Sequence, residues 1–66
     1  MIQTGTIKFY NWPRGFGYLI PDDGGGDVYV NAADADSRDL RSGVRVIYML
    51  GRRNGRECAK QVRLAA

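Results

Sequence analysis

The chain has 66 residues, a net charge of +3, one cysteine and no histidine. That length allows one domain, which buries only about 60% of the surface its unfolded form exposes. An internal disulfide and a Cys/His zinc site are excluded, no apolar run approaches the roughly 20 residues that span a bilayer, and the N-terminus carries no signal-peptide pattern.

Thr4–Asn11 is rich in β-branched and aromatic residues and predicts a first strand. Asn11-Trp12-Pro13-Arg14-Gly15 is a turn, and the heptad Arg14-Gly15-Phe16-Gly17-Tyr18-Leu19-Ile20 predicts a second strand ended by Pro21. Alternation sends Phe16 and Tyr18 to one face and Gly15, Gly17 and Leu19 to the other, with Gly17 allowing a close backbone approach. Asp22–Gly26 is a turn, and Asp27–Asn31 predicts a third strand with Val28 and Val30 inward, Tyr29 and Asn31 outward. Ala32 to Gly43 has no strand period and reads as a crossing of the fold. Val44–Leu50 predicts a fourth strand with Val46, Tyr48 and Leu50 inward. An Asn54-Gly55 hairpin signal follows, and Glu57–Leu64 predicts a fifth strand with Ala59 and Val62 in the core. Five short strands with glycine-rich turns predict an all-β barrel or sandwich over residues 1–66, and a meander, a crossing and a hairpin is the order of a small five-stranded antiparallel Greek-key barrel.

With Leu19, Val28 and Val30 filling the inner face, Phe16, Tyr18 and Tyr29 are three outward rings on adjacent strands. That arrangement suits base stacking better than core packing. The charge is uneven. Residues 1–36 carry two cations against five aspartates, and residues 37–66 carry eight cations against two acids, so a polyanion offering flat rings needs both halves together.

The chain resembles the cold-shock domain family. Gly5–Asn11 is similar to the family's opening strand, with Phe9 and Tyr10 where tryptophan and phenylalanine are usual. Arg14–Ile20 resembles the first nucleic-acid motif, Lys-Gly-Phe-Gly-Phe-Ile. Pro21–Gly24 fits the following turn, and Asp27–Asn31 resembles the second motif, Asp-Val-Phe-Val-His. An RRM domain shares a similar first motif but needs two helices that this pattern lacks.

The resemblance implies an OB-fold, a closed Greek-key barrel that binds single-stranded RNA or DNA and acts as an RNA chaperone or as a regulator of transcription or translation. It places Phe9, Phe16, Tyr18 and Tyr29 on bases, Lys8 and Arg14 on phosphates or base edges, and Asn11 and Asp27 in hydrogen bonds to bases. Asn31 stands for the family histidine. Phe9 is included by resemblance and not by alternation. Ala32, and a crossing without phenylalanine, remove stacking groups the family usually has.

Trp12 either reaches over the rings or packs on Pro13. Arg52, Arg53 and Arg56 either hold phosphates and bases or keep a hairpin tip soluble. A competing expectation is a protein-interaction module, with Ile47 and Met49 as an outward apolar pair forming a weak homodimer; otherwise the chain is a monomer. No Ser/His or Cys/His arrangement points to an enzyme, and Cys58 reads as a small hydrophobe near the core. No cofactor is expected. The expected setting is cytoplasmic, and no membrane partner is expected.

Overall fold

Backbone groups that leave a strand must find partners elsewhere, and in so short a chain this is met by closing the sheet on itself. The computed structural model describes residues 2–36 and 39–65. Ser37 and Arg38 of the expected crossing lie outside the described residues, as do Met1 and Ala66. The strands are β1 (Ile2–Asn11), β2 (Phe16–Pro21), β3 (Val28–Asn31), β4 (Arg45–Arg53) and β5 (Arg56–Leu64), with a 3₁₀ turn at Ala32–Asp34. They close in the order β1-β2-β3-β5-β4. Every seam is antiparallel except β3–β5. Five strands cannot alternate direction all the way round a ring, so one parallel seam is required. It falls where the crossing joins the two halves.

The boundaries shift slightly from expectation. β1 starts two residues early. Arg14 and Gly15 stay in the turn, where Gly15 has φ 74°. Pro21 closes β2 opposite Gly5 instead of lying beyond it. Asn54 and Gly55, with φ of 54° and 77°, make the tight hairpin that their sequence signals.

Two extra residues decide which side chains face inward. Ile7 pairs with Leu19 and Phe9 with Tyr18, so Lys8 is an extra residue in β1. Ile47 pairs with Arg63 and Met49 with Lys60, which makes Gln61 extra in β5; its φ is 52°. The second bulge explains how Ala59 and Val62, three apart, both lie in the core. The backbone freed by the first is taken up by the end of the crossing. Ile7 N–H donates to the Val44 carbonyl, Gly43 N–H to the Ile7 carbonyl, and Ser42 Oγ to the Lys8 carbonyl, each at 2.8 Å.

Ile7, Leu19, Val28, Val30, Val46, Tyr48, Ala59 and Val62 form the core, and Cys58 is buried beside them. Leu40, which the patternless crossing did not suggest, is also buried. Leu50 is a correction: expected inward, it is 43% exposed. Among the described residues β1 pairs with β4 as far as Ile2–Met49, and Leu50 pairs with Ala59 of β5. Ile47 is half-buried, while Met49 and its pair Ile2 are exposed.

One surface pair ties three elements. Arg45 Nη1 and Nη2 donate to the two Asp22 carboxylate oxygens at 2.7 and 2.6 Å, and Thr4 Oγ1 donates to the same carboxylate at 2.6 Å. Arg45, then Thr4, hold the Asp22 carboxyl well below its ordinary value of 3.8. A depressed folded-state pKa gives stability that is complete above the unfolded value and lost as pH falls below it. Asp22→Asn should therefore lower the Tm at neutral pH, with the gap to the parent chain narrowing as pH drops below 3.8. A gap independent of pH in thermal melts would contradict the assignment.

Candidate nucleic-acid interface

The aromatic surface follows from three adjacent strands and one bulge. Alternation along β2 turns Phe16 and Tyr18 outward, and pairing of Tyr18 with Tyr29 sets β3's ring beside them. Simple alternation from buried Ile7 would send Phe9 inward. The extra Lys8 reverses it, and Phe9 emerges opposite Tyr18.

Four rings then form one continuous face. Phe9 lies 5.9 Å from Phe16 and 6.0 Å from Tyr18, centroid to centroid. Tyr29 lies 6.1 Å from Phe16, nearly parallel, and 5.8 Å from Tyr18. Phe9 is 39% exposed and the other three are half-buried, so each is braced by its neighbours while part of it remains open to solvent. Ile20, next in β2's outward set, extends the face with an exposed side chain.

Tyr10 turns inward behind this surface and packs against the core. A Cβ on Gly17 would meet the Phe9 carbonyl oxygen and come within 2.7 Å of the Tyr10 ring, so only glycine lets the bulged strand pass so close. Burial, with a smaller effect of Tyr29, pushes the Tyr10 phenol above its ordinary value.

The polar residues expected at the site fall into separate groups. Lys8 Nζ donates to Asp27 Oδ2 at 2.8 Å, linking the bulge to the chain just before β3, and this pairing raises the lysine pKa. The pair is exposed, so water competes for both partners and a ligand can open it at little cost. Asn11 Oδ1 accepts the Arg14 N–H at 3.0 Å and so shapes the first turn, which leaves the exposed Arg14 side chain at the platform's end of β2. Asn31 Oδ1 accepts the Ala33 N–H at 2.9 Å, and its amide donates to the Tyr29 hydroxyl oxygen at 3.2 Å.

The three hairpin arginines differ. Arg56 lies over the Tyr29 ring, 5.9 Å from its centroid. Arg53 is drawn to Asp34 at 3.1 Å, a carboxylate that Lys60 also approaches at 3.4 Å. Arg52 folds back and donates to the Gly55 carbonyl at 2.9 Å.

Trp12 has partners that its sequence position did not suggest. Its ring packs 4.6 Å from Tyr10, and its Nε1 donates to the Leu40 carbonyl at 3.2 Å, pinning the crossing to the first turn. Asn54, read in the sequence only as a turn residue, lines a cavity with Tyr29, Asn31, Arg53 and Arg56. Its position beside the arginines in the hairpin was the available signal. Among the described residues no group of His, Cys, Asp and Glu can hold a metal ion, and no helix is long and apolar enough to cross a membrane.

Comparison with known proteins gives a consistent result. Residues 3–65 match the 'Cold-shock' DNA-binding domain family. The chain is 36% identical to cold shock protein CspA of Rhizobium meliloti over 69 aligned positions, covering 97% of this chain and all of that protein. It is 40% identical to the probable cold shock protein y4cH of Sinorhizobium fredii over 53 positions, covering 76% of this chain and 77% of that one. Its fold is similar to a structure of Drosophila Unr CSD456, with a TM-score of 0.82 and 18% identity over all of this chain and 27% of that one.

The packing around Gly17 is directly testable. Gly17→Ala should destabilise the fold by about 1–3 kcal/mol, the usual cost of overpacking a closed contact, in urea unfolding. An unchanged midpoint would contradict the close approach of β1 and β2.

Proposed function

Because this chain belongs to the cold-shock domain family, whose members generally bind single-stranded nucleic acid, we propose that it binds single-stranded RNA or DNA by stacking bases on Phe9, Phe16, Tyr18 and Tyr29. The observation that carries this reading is the unbroken four-ring face, with neighbouring centroids 5.8–6.3 Å apart. Every base has a π-face, so such a surface accepts varied sequences, whereas a duplex keeps its bases stacked on one another.

Charge supplies the second part. Arg14 and Arg56 enter no ion pair among the described residues, and Lys8 is held only by an exposed one. Arg56 lies over the Tyr29 ring, Lys8 precedes Phe9 in the bulge and Arg14 lies in the turn before Phe16, and on this reading all three meet the phosphates of a strand lying on the face. Asn11 and Asp27 come to base edges on this reading, Asp27 after release from Lys8. A protein that favours unpaired strands over paired ones melts weak secondary structure, so the role we assign is that of a non-catalytic, cytoplasmic RNA chaperone, or a regulator of transcription or translation acting through transcript structure.

Phe16→Ala and Tyr18→Ala should each weaken binding to a short pyrimidine-rich strand by about 1–3 kcal/mol while leaving a folded domain. Fluorescence titration with unchanged affinity in both folded variants would remove the stacking role.

A second reading has its own observation. Exposed Ile2 pairs with exposed Met49 beside half-buried Ile47, an apolar strip suited to a second copy of the chain. Sedimentation velocity should then show a weak, concentration-dependent dimer, and a constant monomer would exclude it.

A further inference from the structure

At the Tyr29 end of the aromatic face lies a cavity of about 270 Å³ lined by Tyr29, Asn31, Arg53, Asn54 and Arg56. We propose that it is an anion site that holds one phosphate of the bound strand, with the Tyr29 hydroxyl as a hydrogen-bond donor to it. The proposal rests on the single-strand reading above and adds a second task for Tyr29 besides stacking.

Hydrogen-bond direction carries the argument. The Ala33 N–H donates to Asn31 Oδ1, which fixes the amide's orientation. Asn31 Nδ2 then donates to the Tyr29 hydroxyl oxygen. With that oxygen already accepting, and no protein acceptor taking its hydrogen among the described residues, the hydroxyl is left to donate outward. Each bond in such a chain polarises the next, which strengthens the terminal donor.

Charge points the same way. Among the described residues no carboxylate lines the cavity. Asp34, the acid behind it, is only 12% exposed and is engaged by both Arg53 and Lys60, so it does not cancel Arg56. Arg56 is held over the Tyr29 ring instead of against an acid, with its guanidinium available to a ligand. Arg53, whose Nε is buried without a protein acceptor and whose Nη2 is on Asp34, lines the site from behind.

A site made almost wholly of donors, with surplus positive charge, matches a group that only accepts. Tyr29 and Asn31 are also two positions where this chain differs from the Phe and His of the motif it resembles, and the structure joins them by a hydrogen bond.

Tyr29→Phe keeps the ring and removes the donor. Anisotropy titration of a labelled pyrimidine heptamer should show about tenfold weaker binding by this variant, the usual loss for a hydrogen bond to a charged group. Each internal linkage is then replaced in turn by a neutral methylphosphonate, and the terminal phosphates are added or removed. At one position the parent and Tyr29→Phe should bind equally, which identifies the phosphate as internal or terminal. Arg56→Gln should make the log–log salt slope shallower by about 0.7, one single-strand phosphate contact.

Equal binding of the original heptamer by parent and Tyr29→Phe would overturn the anion site and leave the stacking reading standing. A deficit that persists at every neutralised position would also overturn it, by placing the hydroxyl on a base. An unchanged salt slope in Arg56→Gln would remove Arg56 from the site. A parent protein that does not bind the heptamer would overturn the single-strand reading itself.

Discussion

The interruption of side-chain alternation at Lys8 is the constraint on which this surface depends. Without that extra residue, Phe9 would follow Ile7 into the barrel and Tyr10 would take the outer face. With it, Ile7 stays in the core, Phe9 joins Phe16 and Tyr18, and Tyr10 backs the sheet. The bulge survives because its freed backbone groups are bonded by Ser42, Gly43 and Val44, and because Gly17 offers no side chain where the two strands meet. A functional face is thus built by local backbone geometry that the core and the crossing stabilise together.

Barrel closure does the rest. The aromatic residues lie in the first half of the chain and the cations mainly in the second. The parallel seam pairs Tyr29 with Cys58, and this brings Arg56 over the outermost ring. The cations are then sorted by their neighbours. Arg45 is committed to Asp22, and Arg53 and Lys60 share Asp34, while Arg14 and Arg56 remain outside ion pairs among the described residues. Net charge alone says little about this protein; which charges the fold leaves unpaired says more.

Much of this was legible in the sequence where alternation runs unbroken. Phe16, Tyr18 and Tyr29 outward with Leu19, Val28 and Val30 inward follow from strands of ordinary period, and the hairpin at Asn54-Gly55 from its turn residues. Bulges are where the reading fails, because one inserted residue reverses every later side chain and leaves no compositional mark. Phe9 was therefore placed by resemblance alone. Leu50 was misplaced because alternation does not show where along a strand the core ends: it continues the parity of buried Val46 and Tyr48 yet is exposed. Trp12 and Leu40 meet through a side chain-to-backbone hydrogen bond 28 residues apart, a contact that no local pattern encodes. The pairings of Lys8 with Asp27 and of Arg53 with Asp34 are likewise products of topology.

The central claim is that the rings and the unpaired cations serve one ligand, an unpaired nucleic-acid strand. It is tested most directly by titrating the intact protein with a short single strand and with the duplex of the same sequence across a salt series. The account predicts tighter binding to the single strand, with a log–log salt slope of about −0.7 for each phosphate contacted and affinity persisting at high salt through stacking. Equal affinity for the duplex, or binding to the single strand that salt abolishes altogether, would contradict it.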